Sequence, residues 1–490
     1  MEFLDVAVLS RLQFAITVIF HFLFVPLSIG LGLFVALAET RYFRTKDPKD
    51  RAATKFWAKL FTTTFVIGVA TGITMEFSFG TNWANYSRFV GDIFGAPLAA
   101  EALLAFFLES VFLGVVLFAR DKIAPKLYLI STWLVCFGSV LSALWILIAN
   151  SWMQTPAGFE VLPDGSKAVI TDFWAAALNP STIARYLHTV DSLLILGSFC
   201  VIAVGAWYLV KKRHQDYGQR FIKTGLTVGI ITVILMLPFA HMQASVVAEE
   251  QPAKLAAMEG QVEDGPVDFT FFGWVDENGQ AHGPAIAGLT SFLATFDSST
   301  VYPGLDTLSE PVSDFSAYPG VEVDSYQGGT PPVGVTFQAY HLMVALYAFL
   351  ILWLIFAGIV LRQTKKGHTN KVLLYLLVFA PVIPFLCIQA GWMVAEIGRQ
   401  PWVVYNLLLT NDAISPVVTG VELLITIALF VIFYIILFIA WLRIVFKQIK
   451  EGPQLEPAKA VASGDGAVIE TVETTATHDN SEQGGGDQDA

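Results

Sequence analysis

The sequence predicts an all-α polytopic membrane protein with about nine transmembrane helices. Its 490 residues are 55% hydrophobic and only 14% charged, and their mean hydropathy of +0.60 is far above that of a soluble globular chain. Apolar windows of about 20 residues, long enough to cross a bilayer, recur along the chain. The predicted spans are Phe14–Ala38, Phe56–Glu76, Ala96–Ala119, Leu127–Asn150, Arg185–Val210, Phe221–Met242, Thr336–Leu361, Val372–Trp392 and Val418–Ile444.

The basic residues predict the orientation of these spans. They crowd the first, third, fifth and seventh loops, whereas the even loops carry few of them: Arg88, Lys167, Lys254 and Arg399. By the positive-inside rule, the N-terminus lies outside and the C-terminus is cytoplasmic. The net charge of −12 and the short basic clusters give no indication of nucleic-acid binding. The three cysteines form no CxxC motif, so they are interpreted as small core residues.

The first candidate site follows the eighth span, where Glu396 and Arg399 stand at the end of an apolar segment. An intramembrane carboxylate is costly, so it indicates a functional site. The alternative is an ordinary ion pair at a helix end, three residues apart. The predicted orientation places His21, His188, Met343 and Glu396 at the outer side of four spans. These residue types can serve as axial ligands of haem iron, although each of them alone could equally be a packing residue.

A second polar set lies in the third span. Glu101 and Glu109 are eight residues apart, which on an α-helix places them about 12 Å apart along the axis and about 80° apart around it. Carboxylates in hydrocarbon are plausible proton carriers. The alternative is a pair of neutral acids that form hydrogen bonds to neighbouring helices.

Several strings together give the chain a resemblance to subunit I of cytochrome bd quinol oxidases. The resemblance extends over nearly the whole sequence. The strings that carry it are Gly398-Arg399-Gln400-Pro401-Trp402 after Glu396, Met75-Glu76-Phe77, Phe79-Gly80-Thr81-Asn82-Trp83, the two glutamates of the third span, Ala149-Asn150-Ser151-Trp152-Met153-Gln154, His188-Thr189, and Glu250-Gln251-Pro252 through Glu259.

The resemblance implies a set of cofactors and ligands. His188 and Met343 would hold a low-spin haem b, while His21 and Glu396 would be ligands of a high-spin haem b and a haem d, in an order left open. Further cofactor contacts would come from Arg11, Trp392 and Arg399. His341 departs from the Arg expected at its position, which leaves the contacts there open.

The resemblance also implies a reaction and partners. Ubiquinol or menaquinol would be oxidised at the outer face near Lys254 and Glu259, with Glu259 as the base, and O2 would be reduced to water with cytoplasmic protons carried by Glu101 and Glu109. This would generate a proton motive force without pumping. A second large subunit, with or without small single-helix subunits, and a bacterial cytoplasmic (inner) membrane are implied as well.

The expected organisation has four parts. Helices 1–6, with haem and proton-path residues, occupy 1–242, and an extracytoplasmic quinol-binding loop occupies 243–335, with a helix after Pro252. Helices 7–9, with further haem ligands, occupy 336–450, and a disordered tail occupies 451–490. Two other function classes share the intramembrane acids, namely a proton-coupled transporter and a haem-binding subunit without catalytic activity.

Overall fold

The computed structural model describes residues 5–368 and 370–455. The predicted all-α membrane fold is confirmed, because nine helical segments within these two ranges are long and apolar enough to cross a membrane. The helices are α1 (Val6–Thr45), α2 (Pro48–Thr81), α3 (Ala84–Ala100), α4 (Phe107–Phe118), α5 (Pro125–Gln154), α6 (Phe173–Ala177), α7 (Thr182–Val210), α8 (Gln215–Glu250), α9 (Pro252–Glu259), α10 (Leu289–Thr295), α11 (Leu305–Leu308), α12 (Val333–Lys365), α13 (Lys371–Phe379), α14 (Val382–Ile397) and α15 (Gly420–Glu451).

Most helices are longer than the apolar windows that predicted them, because they continue into polar first and last turns that capping hydrogen bonds stabilise. Asp47 accepts the Lys49 amide at 2.8 Å at the start of α2, where Pro48 takes the first helical position. Thr419 and Glu422 form a capping box that begins α15. The tail expected from 451 onward lies mostly outside the described residues, since α15 continues to Glu451 and the description ends at residue 455.

Short antiparallel strand pairs lie between the long helices. Within the described residues they form two-stranded sheets. The strands are β1 (Phe159–Val161), β2 (Ala168–Ile170), β3 (Gly265–Pro266), β4 (Phe269–Thr270), β5 (Trp274–Val275), β6 (Ala281–His282), β7 (Ala285–Ile286), β8 (Val301–Tyr302), β9 (Trp402–Val404) and β10 (Leu408–Leu409). The large connection between α8 and α12 therefore begins with α9, as predicted, and continues as short antiparallel strand pairs and the short helices α10 and α11.

The third span departs from the regular α-helix that the sequence predicted. A π-helical segment, Glu101–Phe106, separates α3 from α4. A π turn pairs residue i with i+5 and so accommodates about one extra residue. The eight residues from Glu101 to Glu109 therefore advance around the axis by about as much as seven residues of regular α-helix. This brings the two carboxylates within about 20° of each other around the axis. Glu101 accepts a hydrogen bond from Ser142 at 2.8 Å and Glu109 accepts one from Ser139. Both acids therefore face α5.

The eighth span is also interrupted. It consists of α13 and α14, with Pro381 between them. Proline has no amide hydrogen and fits the start of a helix, so it ends one segment and begins the next. The apolar window Val372–Trp392 predicts one continuous span here. The interruption lies between the loop after α12 and the segment that carries Glu396.

The close approach of α1 and α7 forms the centre of the bundle. A Cβ atom added to Gly30 would overlap the Leu193 carbonyl oxygen and come within 2.9 Å of the Gly197 Cα, and a Cβ on Gly197 would lie 2.7 Å from the Gly30 carbonyl carbon. Phe24, Leu196 and neighbouring apolar side chains pack around this crossing. Two backbones can approach this closely only where side chains are missing.

We expect Gly30→Ala to lower the thermal unfolding temperature of the purified protein, because the added methyl group forces α1 and α7 apart. Overpacking of this kind costs about 1–3 kcal/mol. Gly114→Ala on α4 is the matched control, since a Cβ there meets no atom within 4 Å, and it should be neutral or slightly stabilising. Equal unfolding temperatures for the two variants would contradict the close packing.

Candidate functional site

Glu396 is the centre of a polar network at one end of the bundle, in which Arg399 is buried and the Glu396 side chain is 29% exposed. Three elements meet there, because α5 and α14 end and α7 begins in the same region. The Glu396 carboxylate accepts hydrogen bonds from Arg399 at 2.5 Å, from Asn150 at 3.0 Å and, at the limit of the range, from Gln154 at 3.5 Å. The interpretation as an isolated helix-end pair is therefore too narrow, since α5 supplies two further partners.

Positive charge exceeds negative charge in this network. Arg399, Arg185 and Lys254 all interact electrostatically with the Glu396 carboxylate. Arg185 and Arg399 are both buried. The Nε atoms of both arginines and the Nη1 atom of Arg399 find no hydrogen-bond partner among the described residues. Buried guanidinium groups with unmet donors are costly, so the site has the chemistry to hold anionic groups such as haem propionates.

Lys254 reaches into this network from α9. Its side chain is only 1% exposed, and its Nζ donates hydrogen bonds to Oε1 of Gln154 at 2.5 Å and to Oε1 of Gln251 at 2.7 Å. Burial is the main cause that lowers the pKa of the Lys254 ammonium well below its ordinary range, and repulsion from Arg185 and Arg399 lowers it further. A solvated position for Lys254 on an exposed helix is thereby excluded.

Glu259 lies on the same short helix but faces different partners. Five residues of α-helix correspond to a rotation of about 140° away from Lys254. The Glu259 carboxylate is 4% exposed and accepts a hydrogen bond from the Thr290 hydroxyl at 3.0 Å, and the Tyr340 hydroxyl faces it as well. Burial raises the pKa of Glu259 to about 8, against the opposing effect of these hydrogen bonds.

His341 is the nearest basic side chain to Glu259. Its Nδ1 donates to the Phe337 carbonyl oxygen at 2.9 Å, and its Nε2 lies 3.8 Å from the Glu259 carboxylate. A carbonyl oxygen only accepts, so Nδ1 carries a hydrogen in either charge state. His341 therefore fills the place for which the sequence resemblance suggested an arginine, and it faces the candidate base rather than the Glu396 network.

The candidate iron ligands lie on four helices. His21 on α1 is 2.8 Å from the Thr71 hydroxyl through Nδ1, whereas Nδ1 of His188 on α7 has no hydrogen-bond partner within the described ranges. Met343 on α12 packs against α14, where a Cβ on Gly391 would lie 3.1 Å from the Met343 sulfur. No hydrogen bond or ion pair joins any two of these three side chains or Glu396 in the described part of the chain.

Two other predicted cofactor contacts take different positions. The Trp392 ring packs edge to face on Phe22, with centroids 4.8 Å apart, and thereby brings α14 next to the residue after His21. Arg11 is exposed and donates to the Asn411 side chain at 3.1 Å. No group of three or more His, Cys, Asp or Glu side chains that could hold a bare metal ion occurs in the described residues.

Sequence reasoning missed the residues that complete the network. Arg185, Gln154 and Gln251 were noticed only as parts of a span or a motif, and they received no separate role. Asp191, buried one turn after His188, was missed entirely. Of these residues, only Arg185 and Asp191 could have been identified from the sequence as functional candidates, since each places a charge within or at the edge of an apolar window.

Comparisons with known proteins identify relatives of this chain. The family profile described as cytochrome bd terminal oxidase subunit I matches residues 9–453. The chain is 39% identical to the cytochrome bd ubiquinol oxidase subunit 1 of Bacillus subtilis, with 91% of this chain and 94% of the relative covered. It is 37% identical to the cytochrome bd-II ubiquinol oxidase subunit 1 of Escherichia coli, covering 92% and 97%.

A solved structure agrees as well. The bd oxidase from Geobacillus thermodenitrificans superposes with a TM-score of 0.81 at 25% identity, covering 92% of this chain and all of that one. The profile match spans most of the sequence, and both relatives are covered almost completely. The chain therefore belongs to the cytochrome bd terminal oxidase subunit I family, the haem-containing quinol oxidases of bacterial respiratory membranes that work as multi-subunit complexes.

Proposed function

We propose that this chain is the subunit of a cytochrome bd-type oxidase that binds haem and oxidises ubiquinol or menaquinol. In this proposal it works in the bacterial cytoplasmic membrane, with its N-terminus outside and its C-terminus in the cytoplasm. The observation that carries the proposal is the buried surplus of cations around Glu396 in a chain of this family. Such a site is poorly explained by packing alone, because unmatched guanidinium groups gain nothing from burial.

The haem ligands in the proposal are residues with donor atoms suited to iron. His188 and Met343 would hold a low-spin haem b, and His21 and Glu396 would be the ligands of a high-spin haem b and a haem d. When bound, these groups would supply electron transfer from quinol and the binding and reduction of oxygen. Arg185 and Arg399 would pair with propionates, and Arg11 and Trp392 would make further cofactor contacts.

The quinol site in the proposal lies at α9. Lys254 donates hydrogen bonds and can orient a quinol oxygen, and Glu259 can accept a hydroxyl proton. A base whose pKa of about 8 lies close to the ambient pH is suited to general base catalysis. Glu259 is on the connection that the positive-inside rule places outside, so its proton would leave on that side.

Glu101 and Glu109 would deliver protons for oxygen reduction from the cytoplasm. Both acids face α5, where Ser142 and Ser139 supply hydrogen-bonding groups along one line. Each quinol releases its protons outside, while water formation consumes protons from inside, so charge separation follows without a pump. A second large subunit, with or without small single-helix subunits, would complete the enzyme.

We expect His188→Ala and Met343→Leu to remove the low-spin haem b signal from the spectrum of the purified protein reduced with dithionite, because each variant takes away one axial ligand. His241→Ala on α8 is the control, since this histidine has no assigned role, and it should leave the spectrum unchanged. Quinol-driven oxygen uptake by the wild-type complex separates an oxidase from a passive haem-binding subunit. Retention of the low-spin signal in both ligand variants would refute the assignment.

We expect Glu259→Gln to lower quinol turnover by about a hundredfold or more, from the lower end of the effect of general base catalysis upward, while dithionite still reduces every haem. The wild-type rate should rise as the pH increases through about 8, where the base loses its proton, and the variant should lose this dependence. Glu263→Gln removes one charge from an exposed position on the same connection and should match the wild type. Equal turnover and pH profiles for Glu259→Gln and Glu263→Gln would move the base elsewhere.

A further inference from the structure

Gln154, the last residue of α5, joins the two halves of the proposed site. Its side chain is fully buried. Its Oε1 accepts from the Lys254 ammonium at 2.5 Å, and its Nε2 donates to the Ala395 carbonyl oxygen at 3.1 Å and approaches the Glu396 carboxylate at 3.5 Å. One amide group therefore contacts both the candidate quinol residue and the segment of the candidate haem ligand.

The orientation of this amide is fixed by its partners. An ammonium group only donates and a carbonyl oxygen only accepts, so reversing the amide would lose both hydrogen bonds. Gln251 holds the same region in place, because its Nε2 donates to the Gln154 carbonyl oxygen at 2.9 Å and to Oε1 at 3.1 Å. The Gly398 backbone lies against the Lys254 stem, where a Cβ would come within 3.0 Å of Cγ. Lys254 thus has little freedom to move without affecting the end of α14.

We propose that Gln154 is a positioning residue that couples occupancy of the quinol site at Lys254 to the Ala395–Glu396 segment of the haem site. Gln154 and Gln251 accept two of the three N–H donors of the Lys254 ammonium. A quinone or quinol oxygen that takes the third shifts the ammonium and loosens its hydrogen bond to Oε1 of Gln154. The released amide then changes its contact with the Ala395 carbonyl and the Glu396 carboxylate. This inference rests on the proposed function, because it assigns Lys254 to the quinol site and Glu396 to a haem.

Coupling of this kind is reciprocal. If quinone binding changes the surroundings of Glu396, then the state of the haem site changes the affinity for quinone by the same factor. Couplings between sites in proteins commonly amount to about 5–150-fold in affinity. A purely structural hydrogen bond would stabilise the fold but would produce no haem signal that depends on quinone.

Two variants separate the two ends of the amide. Gln154→Met keeps the length of the side chain and removes both the donor and the acceptor. Gln154→Glu keeps an acceptor for Lys254 and loses the donor to the Ala395 carbonyl. Gln13→Met is the matched control, because Gln13 is also buried and accepts from Asn82 at 2.9 Å and from Thr426 at 3.2 Å, far along the sequence from Lys254.

The experiment uses the oxidised, haem-loaded complex titrated separately with ubiquinone-1 and menadione. Binding is followed by the rise in unfolding temperature, and coupling is followed by the change in haem absorbance. We expect the wild type and Gln13→Met to show both responses with at least one of the quinones. Gln154→Glu should bind that quinone within about threefold of the wild-type affinity but without the absorbance change. Gln154→Met should likewise lack the absorbance change, and it should bind the quinone at least about fivefold more weakly than the wild type.

An absorbance change of wild-type size in Gln154→Glu would overturn the proposal, and so would quinone binding to the wild type with no absorbance change. If Gln154→Met fails to assemble with haem, the comparison of Gln154→Glu with Gln13→Met still decides between the outcomes. A failure of the proposed function looks different, because the wild-type complex would then lack haem or would not consume oxygen with quinol.

Discussion

The ion pair between Glu396 and Arg399, which lies beside two further buried cations, is the constraint on which the rest of the site depends. A single carboxylate cannot balance Arg185, Lys254 and Arg399, so the region is stable only if other groups share the charge. Amide oxygens from Gln154 and Gln251 take part of this task by accepting hydrogen bonds from Lys254. The arginine donors without partners can bind an anionic cofactor. To bring these groups together, α5, α7, α9 and α14 must all end or begin at the same level.

The same constraint explains how a connection outside the apolar spans becomes part of the site. α9 follows directly on α8, and the buried Lys254 anchors it to the end of α5. Helical rotation then turns Glu259 toward Thr290, Tyr340 and His341. One short helix therefore presents a cation to the Glu396 network and a base of raised pKa to the other side. In the proposed enzyme, this separates the orientation of quinol from the removal of its proton.

Much of the fold could be predicted from the sequence, because hydropathy over about 20 residues is a local property. Glu396 and Arg399 could be singled out for the same reason, since a charge inside an apolar segment is visible without a structure. The π-helical segment at Glu101 and the interruption at Pro381 could not, because tertiary packing decides whether a long apolar helix stays regular. The hydrogen bonds from Asn150 and Gln154 to Glu396 could not be predicted, because both residues are more than 240 positions away from it in the sequence.

The most direct test of the account is a cryo-electron microscopy map of the purified complex with its cofactors. The account predicts porphyrin density whose propionates lie within hydrogen-bond distance of the Arg185 and Arg399 guanidinium groups, with iron at His21, His188, Met343 and Glu396. Arginines that pair only with protein groups, or iron held by other side chains, would contradict the claim that this cationic cluster exists to hold haem.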